Sequence, residues 1–412
     1  MFKKIFFYFF FIIYSLELLT TIFIVKKVDF TGKNYRQIKN EIFRNNPSFD
    51  QRNDYQAFQD EKDKYKISPS FKLSFFTNNH NKEIQNFIKE QIDNKEIIPF
   101  RGPIDKLSLG NNEDGVRELI VNDNFGFKNF KSIYKKKIDL MLVGDSFTEG
   151  VPFGNDKTIS EFINKKSDIS SINYGISGAG PLMALGVIRE YGHKFQPNKI
   201  YYLYYEGNDL LDLENEKKTF LINYLNKNFS QNLYNSYEKI SEFLNRYDEI
   251  FYRSLPSLIE EEKNLDNTIY QTTNSKIFIE KIKDFLELQN LKEILPKDLL
   301  FIKKSKVDYD LFEKIIIEMN SETKKWNGNF AILYLPTWSR YNKNFSFTDY
   351  LLKNKIIFTA KKNNIEIIDL DELFKSKKMN NNKLFTLKIY SHYNSDTYNE
   401  ISNYIISNFK KN

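Results

Sequence analysis

Cysteine is absent from the 412-residue sequence, and histidine occurs only three times, at His80, His193 and His392. Without thiols, the chain cannot form disulfides, use a thiolate nucleophile, build a cysteine-ligated zinc site or hold an iron–sulfur cluster. Three scattered histidines do not favour a transition-metal centre, although magnesium or calcium bound by carboxylates stays open. The sequence therefore predicts no metal centre and no cofactor.

A large excess of charge is also missing. Lys and Arg total 61 against 54 Asp and Glu, which gives a formal net charge of +7, and no basic stripe interleaved with aromatic residues occurs. We therefore expect no nucleic-acid partner, and the oligomeric state stays open. The hydrophobic residues, 41% of the chain, can build a sizeable core, whereas 28% of charged residues excludes a chain wholly embedded in a membrane.

One long hydrophobic run is present, over residues 5–25, and Glu17 is its only charged residue. At about 1.5 Å per residue, a helix of this length spans the roughly 30 Å of bilayer hydrocarbon. No small-x-small cleavage site accompanies it, which favours an uncleaved signal anchor over residues 1–28 rather than a signal peptide. With no later span, we predict a single-pass inner-membrane protein. The lipid bilayer would hold it with its main domain on the periplasmic, extracytoplasmic side.

Residues 29–135 are polar and show weak periodicity. Turn-forming triplets interrupt them at 45–47, 101–103 and 110–112. This pattern is typical of irregular structure, and we interpret the segment as a stalk with an N-terminal extension of the main domain.

From residue 136 onward, short apolar runs alternate with amphipathic stretches. The predicted strands cover 137–143, 170–174, 199–205, 329–335 and 365–370. The predicted helices cover about 157–166, 181–194, 308–325, 347–363 and 395–408. This alternation predicts an α/β fold over 136–412, a doubly wound parallel sheet flanked by helices. Residues 212–305 break the rhythm, and we interpret them as a helical insertion that could cap the site.

Three of the predicted strands end in glycine-containing turns. The first is followed by Gly-Asp-Ser-Phe at 144–147, the second by a turn containing Gly178, and the third by Gly-Asn-Asp at 207–209. His392 precedes the last predicted helix. The carboxyl ends of parallel strands open onto one crevice, so the fold would bring these residues together. A serine hydroxyl, a neighbouring base and preorganised oxyanion donors are what nucleophilic acyl chemistry requires.

Four segments resemble, in order, sequence blocks of the SGNH (or GDSL) hydrolase family. Residues 144–147 match the first block, with Phe where Leu is common, 173–178 resemble the second, 207–209 the third, and Ser-His-Tyr-Asn at 391–394 the fifth. Together the similar regions cover roughly 136–210 and 326–410. The order of the four segments, each at an element boundary, is more specific than any one of them.

This resemblance implies a role for each candidate residue. Ser146 would be the nucleophile that attacks an ester carbonyl, and His392 would be the base that takes its proton. The backbone N–H groups of Ser146 and Gly178, with the side-chain amide of Asn208, would form the oxyanion hole. Asp145 belongs to the same motif, and its implied role is structural.

The sequence departs from the family at the acid that orients the histidine. The family has an Asp two or three residues before its histidine, where this chain has Tyr390 and Ile389. Asp396, or one of Asp369 and Asp371, could replace that acid in space. Otherwise a Ser–His dyad could work with a carbonyl that holds the imidazole, or activity could be low or lost.

The expected function is that of a serine hydrolase acting on ester bonds. Its substrate would be an acylated small molecule or glycan, and deacetylation of envelope glycans suits a site beside a membrane. Two alternatives stay open: an O-acyltransferase that modifies surface polysaccharide, and a weakly active or inactive glycan-binding or assembly protein of the same fold.

Overall fold

The computed structural model describes residues 2–23, 35–74, 81–270, 283, 285–288, 308–341, 347–388 and 391–409. His80, Ile389, Tyr390, the end of the predicted anchor at 24–28 and most of the predicted insertion beyond residue 270 lie outside them. None of the helices in the described part of the chain is long and apolar enough to cross a membrane. The anchor and the location that it implies stay predictions.

Helices and strands alternate along the described residues. The strands are β1 (Phe71–Lys72), β2 (Arg101–Gly102), β3 (Leu107–Leu109), β4 (Leu119–Val121), β5 (Leu140–Gly144), β6 (Ser171–Gly175), β7 (Lys199–Tyr205), β8 (Asn329–Leu335) and β9 (Glu366–Asp369). The helices are α1 (Phe2–Phe23), α2 (Tyr35–Arg44), α3 (Asp54–Tyr65), α4 (Lys82–Asp93), α5 (Ser146–Glu149), α6 (Ile159–Lys166), α7 (Pro181–Val187), α8 (His193–Phe195), α9 (Asp209–Glu216), α10 (Tyr237–Tyr270), α11 (Tyr309–Lys324), α12 (Phe347–Lys362), α13 (Leu370–Ser376), α14 (Asn381–Leu384) and α15 (Ser395–Asn408). A π-helical turn, Ile188–Gly192, joins α7 to α8.

The central sheet consists of five parallel strands in the order β6-β5-β7-β8-β9. At the end of β5, Gly144 is in register with Gly175 of β6 on one side and with Leu203 of β7 on the other. This order creates a switch point beside β5, where ligands bind in open α/β sheets. The predicted α/β fold with a parallel sheet is confirmed, and each predicted strand overlaps an observed one.

Both faces of the sheet are covered, because successive strand residues point to opposite faces. On β7, Tyr202 and Tyr204 enter the core on one face, and Tyr201 and Tyr205 enter the core on the other. Helices α7, α11 and α12 contribute to the first core, and α6, α13 and α15 to the second. Helices on both faces make the sheet doubly wound, as predicted.

The structure differs from the predicted stalk. Apolar residues between 55 and 134 share the first core with the sheet, and β1 pairs with β2 and β3 with β4 in antiparallel ribbons. Phe58 of α3 and Phe87 of α4 contact Phe251 and Phe243 of α10, at ring-centroid distances of 5.2 and 5.0 Å. Residues far along the chain bury these side chains, so local periodicity gave no sign of a packed structure.

The predicted insertion is helical where it is described. It contains the second part of α9, two 3₁₀ turns and the long helix α10. Helix α10 packs on α3 and α4 and helps to enclose a cavity of about 590 Å³. Its role as a cap over the site stays a prediction.

Candidate active site

The turn after β5 holds Ser146 at the carboxyl edge of the sheet. All five residues of β5 are buried, so the strand end is fixed by the core. Asp145 caps α5, and its side chain accepts the Phe147 N–H at 2.9 Å. The Ser146 carbonyl accepts the Gly150 N–H at 3.0 Å. Ser146 is thus the first residue of a short helix, where backbone N–H groups lack partners within the helix.

The structure brings His392 into contact with Ser146. The Nε2 atom of His392 lies 2.7 Å from Ser146 Oγ. The Phe147 ring lies 4.8 Å from the imidazole between centroids, and it also contacts the rings of Tyr205 and Tyr393, at 3.7 and 4.9 Å. The His392 carbonyl accepts the Thr386 N–H at 3.0 Å. Apolar packing and a backbone bond therefore hold the imidazole in reach of the hydroxyl.

The carboxylate that holds His392 belongs to Glu113, in the loop between β3 and β4. Its Oε1 atom lies 2.8 Å from His392 Nδ1, and its Oε2 atom accepts the His392 backbone N–H at 3.0 Å. Both oxygens of one carboxylate thus fix a single residue, which sets the orientation of the ring. Ser146, His392 and Glu113 form a continuous hydrogen-bonded chain with the geometry of a catalytic triad.

The acids that the sequence suggested occupy other places. Asp369 and Asp371 both pair with Lys353, at 2.6 and 2.7 Å. Asp396 is exposed in the first turn of α15. Lys375 also pairs with Asp371, at 2.8 Å, so these two carboxylates are held by lysines. Because Glu113 contacts His392 Nδ1, the structure corrects the expectation that one of the suggested acids orients His392.

The charges of Glu113 and His392 support each other. Burial alone would raise the pKa of Glu113, but the adjacent imidazole outweighs burial and holds that pKa below its ordinary value. Burial alone would lower the pKa of His392, but the Glu113 carboxylate, helped by Asp145, raises it above 6.5. The pair therefore favours a charged imidazole, which is the form that appears when His392 takes the serine proton.

The backbone N–H of Gly178 is available as a donor at the same edge of the sheet as Ser146. It lies in the turn after β6 with a φ of +75°, which glycine adopts without strain. Its neighbours are engaged, because the Ser177 N–H donates to Glu149 Oε2 at 2.8 Å and the Gly180 N–H to Glu216 Oε1 at 2.7 Å. Within the described residues, the Gly178 N–H has no acceptor.

Asn208 follows β7, the other strand that flanks β5. Its Nδ2 atom donates to Asp212 Oδ2 at 2.9 Å, which orients the amide. Burial raises the pKa of Asp212 to about 7, and the nearby Asp145 adds to this effect. Burial likewise raises the pKa of Asp145 to about 6. The three residues implied for the oxyanion hole thus follow three adjacent strands. Two acidic side chains, Asp145 and Asp212, lie near Asn208.

The loop that carries Glu113 is tied to the segment before α3. Asn112 Nδ2 donates to the Asp50 carbonyl at 2.7 Å, and the Asp50 N–H donates to the Gly115 carbonyl at 2.9 Å. Gly115 has a φ of +88°, and a Cβ placed there would lie 2.3 Å from the Phe49 ring. Only glycine fits, so the backbone of this loop is fixed on both sides of the acid.

Sequence reasoning missed Glu113 because nothing local marks it. It lies 279 positions before His392 and belongs to a polar segment without periodicity. The turn residues at 110–112 were the available signal, since they predict a hairpin, and hairpin loops can present side chains to a neighbouring site.

Comparisons with known proteins give no family assignment. No protein-family model matches the chain, and no curated protein matches it. A member of the lipolytic protein G-D-S-L family from Veillonella parvula DSM 2008 is similar in structure, with a TM-score of 0.35 and 11% identity over 66% of this chain and 98% of that one. A catalytic mutant of an acetylxylan esterase from Geobacillus stearothermophilus is similar at a TM-score of 0.35 and 13% identity, over 67% and 98% of the two chains. Likenesses at these scores carry no argument about function.

Proposed function

We propose that this chain is a serine esterase of SGNH type. The observation that carries the proposal is the chain of two short contacts, Ser146 Oγ to His392 Nε2 at 2.7 Å and His392 Nδ1 to Glu113 Oε1 at 2.8 Å. A base that contacts the hydroxyl, and an acid that orients the base, are the parts that activate a serine. The position at a sheet switch point and the four resembling segments support the same function.

In the first half of the proposed reaction, Ser146 Oγ attacks the ester carbonyl carbon while His392 Nε2 takes the hydroxyl proton. The carbonyl oxygen becomes an oxyanion, which the N–H groups of Ser146 and Gly178 and the amide of Asn208 stabilise. The C–O bond to the leaving alcohol then breaks, and His392 gives its proton to that oxygen. The products of this half are the alcohol and an acyl group bound to Ser146.

In the second half, water replaces the alcohol. His392 takes a proton from water as its oxygen attacks the acyl carbon, and the same donors hold the second oxyanion. The bond to Ser146 Oγ breaks, the proton returns to that oxygen, and a carboxylic acid leaves. Glu113 keeps its charge throughout and stabilises the imidazolium that forms in each half.

The proposed substrates are acetyl esters on envelope glycans, met on the outer face of the inner membrane. This setting rests on the hydrophobic run at 5–25 in the sequence. An O-acyltransferase would use the same three residues with a sugar hydroxyl in place of water. The inactive alternative rests on the absence of an acid shortly before His392 in the sequence. Glu113, from a distant part of the chain, contacts the ring nitrogen that such an acid would hold.

The test is covalent labelling with a fluorophosphonate probe, combined with hydrolysis of p-nitrophenyl acetate. We expect the wild type to label and hydrolyse, and Ser146→Ala and His392→Ala to lose about 10⁶-fold in turnover. Ser407→Ala, a matched change at an exposed serine of α15, should behave as the wild type.

Absence of both Ser146-dependent labelling and hydrolysis would rule out the esterase. Adding an oligosaccharide acceptor separates the remaining possibilities. If the acetyl group passes mainly to the sugar, and only when Ser146 is present, the chain is a transferase.

A further inference from the structure

The cavity beside α10 is separate from the proposed catalytic residues. It has a volume of about 590 Å³, within the range of small-molecule sites. Its walls come from α3, α4 and α10, from the β1–β2 and β3–β4 ribbons, and from the end of α5. Ser146, His392 and Glu113 do not line it, so nothing in the proposed reaction accounts for it.

Eight charged side chains line the cavity, four basic and four acidic, and the four buried ones are three cations and one carboxylate. Lys72, Arg101 and Lys128 are 5, 2 and 3% exposed, and one buried carboxylate, Glu149, lies among them. Lys72 Nζ lies 3.2 Å and an Arg101 guanidinium nitrogen 2.9 Å from the Glu149 oxygens. Within the described residues, Lys128 forms no ion pair, and its Nζ donates to the Phe153 carbonyl at 2.6 Å.

Three buried cations against one carboxylate are costly, because a charge removed from water must be compensated nearby. Burial accordingly lowers the pKa of Lys128 to about 7 and lowers that of Lys72. The Arg101 Nε atom is buried and has no hydrogen-bond partner among the described residues. An anion in the cavity would give Arg101 Nε an acceptor and balance the buried positive charge.

The rest of the wall is mostly apolar. The residues that form it include Phe58, Ile84, Tyr247, Phe251 and Leu258. The acidic residues of the rim are Asp54, Glu261 and Glu262, and Asp54 is paired with Arg117 at 2.6 Å. A free sugar or phosphate would leave the apolar wall unused, whereas an uncharged lipid would leave the cations uncompensated.

We propose that this cavity binds a single-chain amphipathic anion of the fatty-carboxylate class. The carboxylate lies against Lys128, Lys72 and Arg101, and the hydrocarbon chain lies along the aromatic and aliphatic wall. The site connects to the catalytic helix through Glu149, the last residue of α5, whose Oε2 atom accepts the Ser177 N–H beside Gly178.

The experiment is calorimetric titration of the full chain with decanoate. We expect one saturable site that Lys128→Met weakens at least about tenfold, because a charge-assisted hydrogen bond is lost. Lys165→Met, which removes the same charge at the surface of α6, should leave binding unchanged. Decanol carries the hydrocarbon chain without the charge, and acetate carries the charge without the hydrocarbon chain. Both ligands should bind at least about tenfold more weakly than decanoate.

Control variants separate a loss of decanoate binding from a loss of folding or of the proposed catalysis. Lys128→Met removes an unpaired buried charge, so its melting temperature should not fall, and a second variant, Leu258→Trp, fills the apolar end and should also weaken decanoate binding. Ser146→Ala should bind decanoate like the wild type whether or not the chain is an esterase.

Three results would each overturn the proposal: no saturable binding, equal binding by the Lys128 and Lys165 variants, or blockage of fluorophosphonate labelling in proportion to decanoate occupancy.

Discussion

Two regions contribute to the proposed active site in different ways. The carboxyl edge of the sheet provides Ser146, Gly178 and Asn208 from the ends of three adjacent strands. The N-terminal segment provides Glu113 from a hairpin loop outside the sheet, and it also forms most of the second cavity. The first region is shaped by local rules of strand and turn, whereas the second takes its place only through contacts between distant parts of the chain.

In the proposed reaction, the sheet alone would be an incomplete catalyst. Without the N-terminal segment, the sheet holds the proposed nucleophile, base and oxyanion donors, but no carboxylate on His392 Nδ1 among the described residues. The predictions that follow ask how much each region contributes.

The largest effect is expected at the acid. Glu113→Gln keeps the shape of the side chain but removes the charge that holds the imidazole, and kcat should fall by about 10⁴-fold, as when the acid of a triad is replaced by its amide. Asp396→Asn is the matched control, since Asp396 lies close to His392 in sequence but is exposed. Steady-state hydrolysis of p-nitrophenyl acetate measures both. If the two variants lose activity equally, the N-terminal segment does not supply the acid.

The next effect is expected at the edge of the sheet. Asn208→Ala removes one donor of the proposed oxyanion hole and should lower kcat by about 10²- to 10³-fold. Asn215→Ala, at an exposed position of α9, the helix that Asn208 precedes, is its control. A loss confined to KM would show that Asn208 binds substrate instead of stabilising the oxyanion.

The pH dependence of kcat/KM links the two regions. His392 acts as a base only when unprotonated, and its pKa lies above the ordinary 6.5 because Glu113 outweighs burial. Activity should therefore rise with pH through an apparent pKa above that value. In Glu113→Gln, burial is no longer opposed by the carboxylate, so the rising limb should move to lower pH although the plateau falls. If the rising limb of the pH profile does not move, Glu113 does not control the ionisation of His392.

The smallest effect is expected in the loop that positions the acid. Gly115→Ala forces a Cβ into a backbone with positive φ and against the Phe49 ring, which should lower the free energy of unfolding by about 1–2 kcal/mol. Val116→Ala, at the exposed neighbouring position, should change it little. Denaturant titration measures the loss. Full stability with normal activity would mean that this loop adapts without displacing Glu113.

The sheet and its edge could be predicted from the sequence because their signals are local. The buried run of β5 ends in Gly144, and β7 was predicted with its observed bounds, since burial on both faces makes parallel strands continuously apolar. The Gly-Asp-Ser turn, the Gly178 turn and Asn208 follow directly from where those strands end.

The packed N-terminal segment could not be predicted, since its structure depends on α10. Phe58 and Phe87 are isolated aromatic residues in polar stretches, and their partners lie about 160 to 190 positions later. The acid could not be predicted for the same reason. The sequence shows only which acids lie near His392 along the chain, and Glu113 is close to His392 only in the folded protein.

The bond between Glu113 and His392 also has a consequence for how the chain folds. It closes a loop of 279 positions, and although each doubling of loop length adds only about 0.6 kcal/mol of closure entropy, contacts at such separation slow the folding search. The parallel sheet can form, with Ser146 at its edge, before Glu113 and His392 come into contact. The onset of hydrolysis during refolding therefore reports the docking of the first third of the chain onto the last, later than the secondary structure forms.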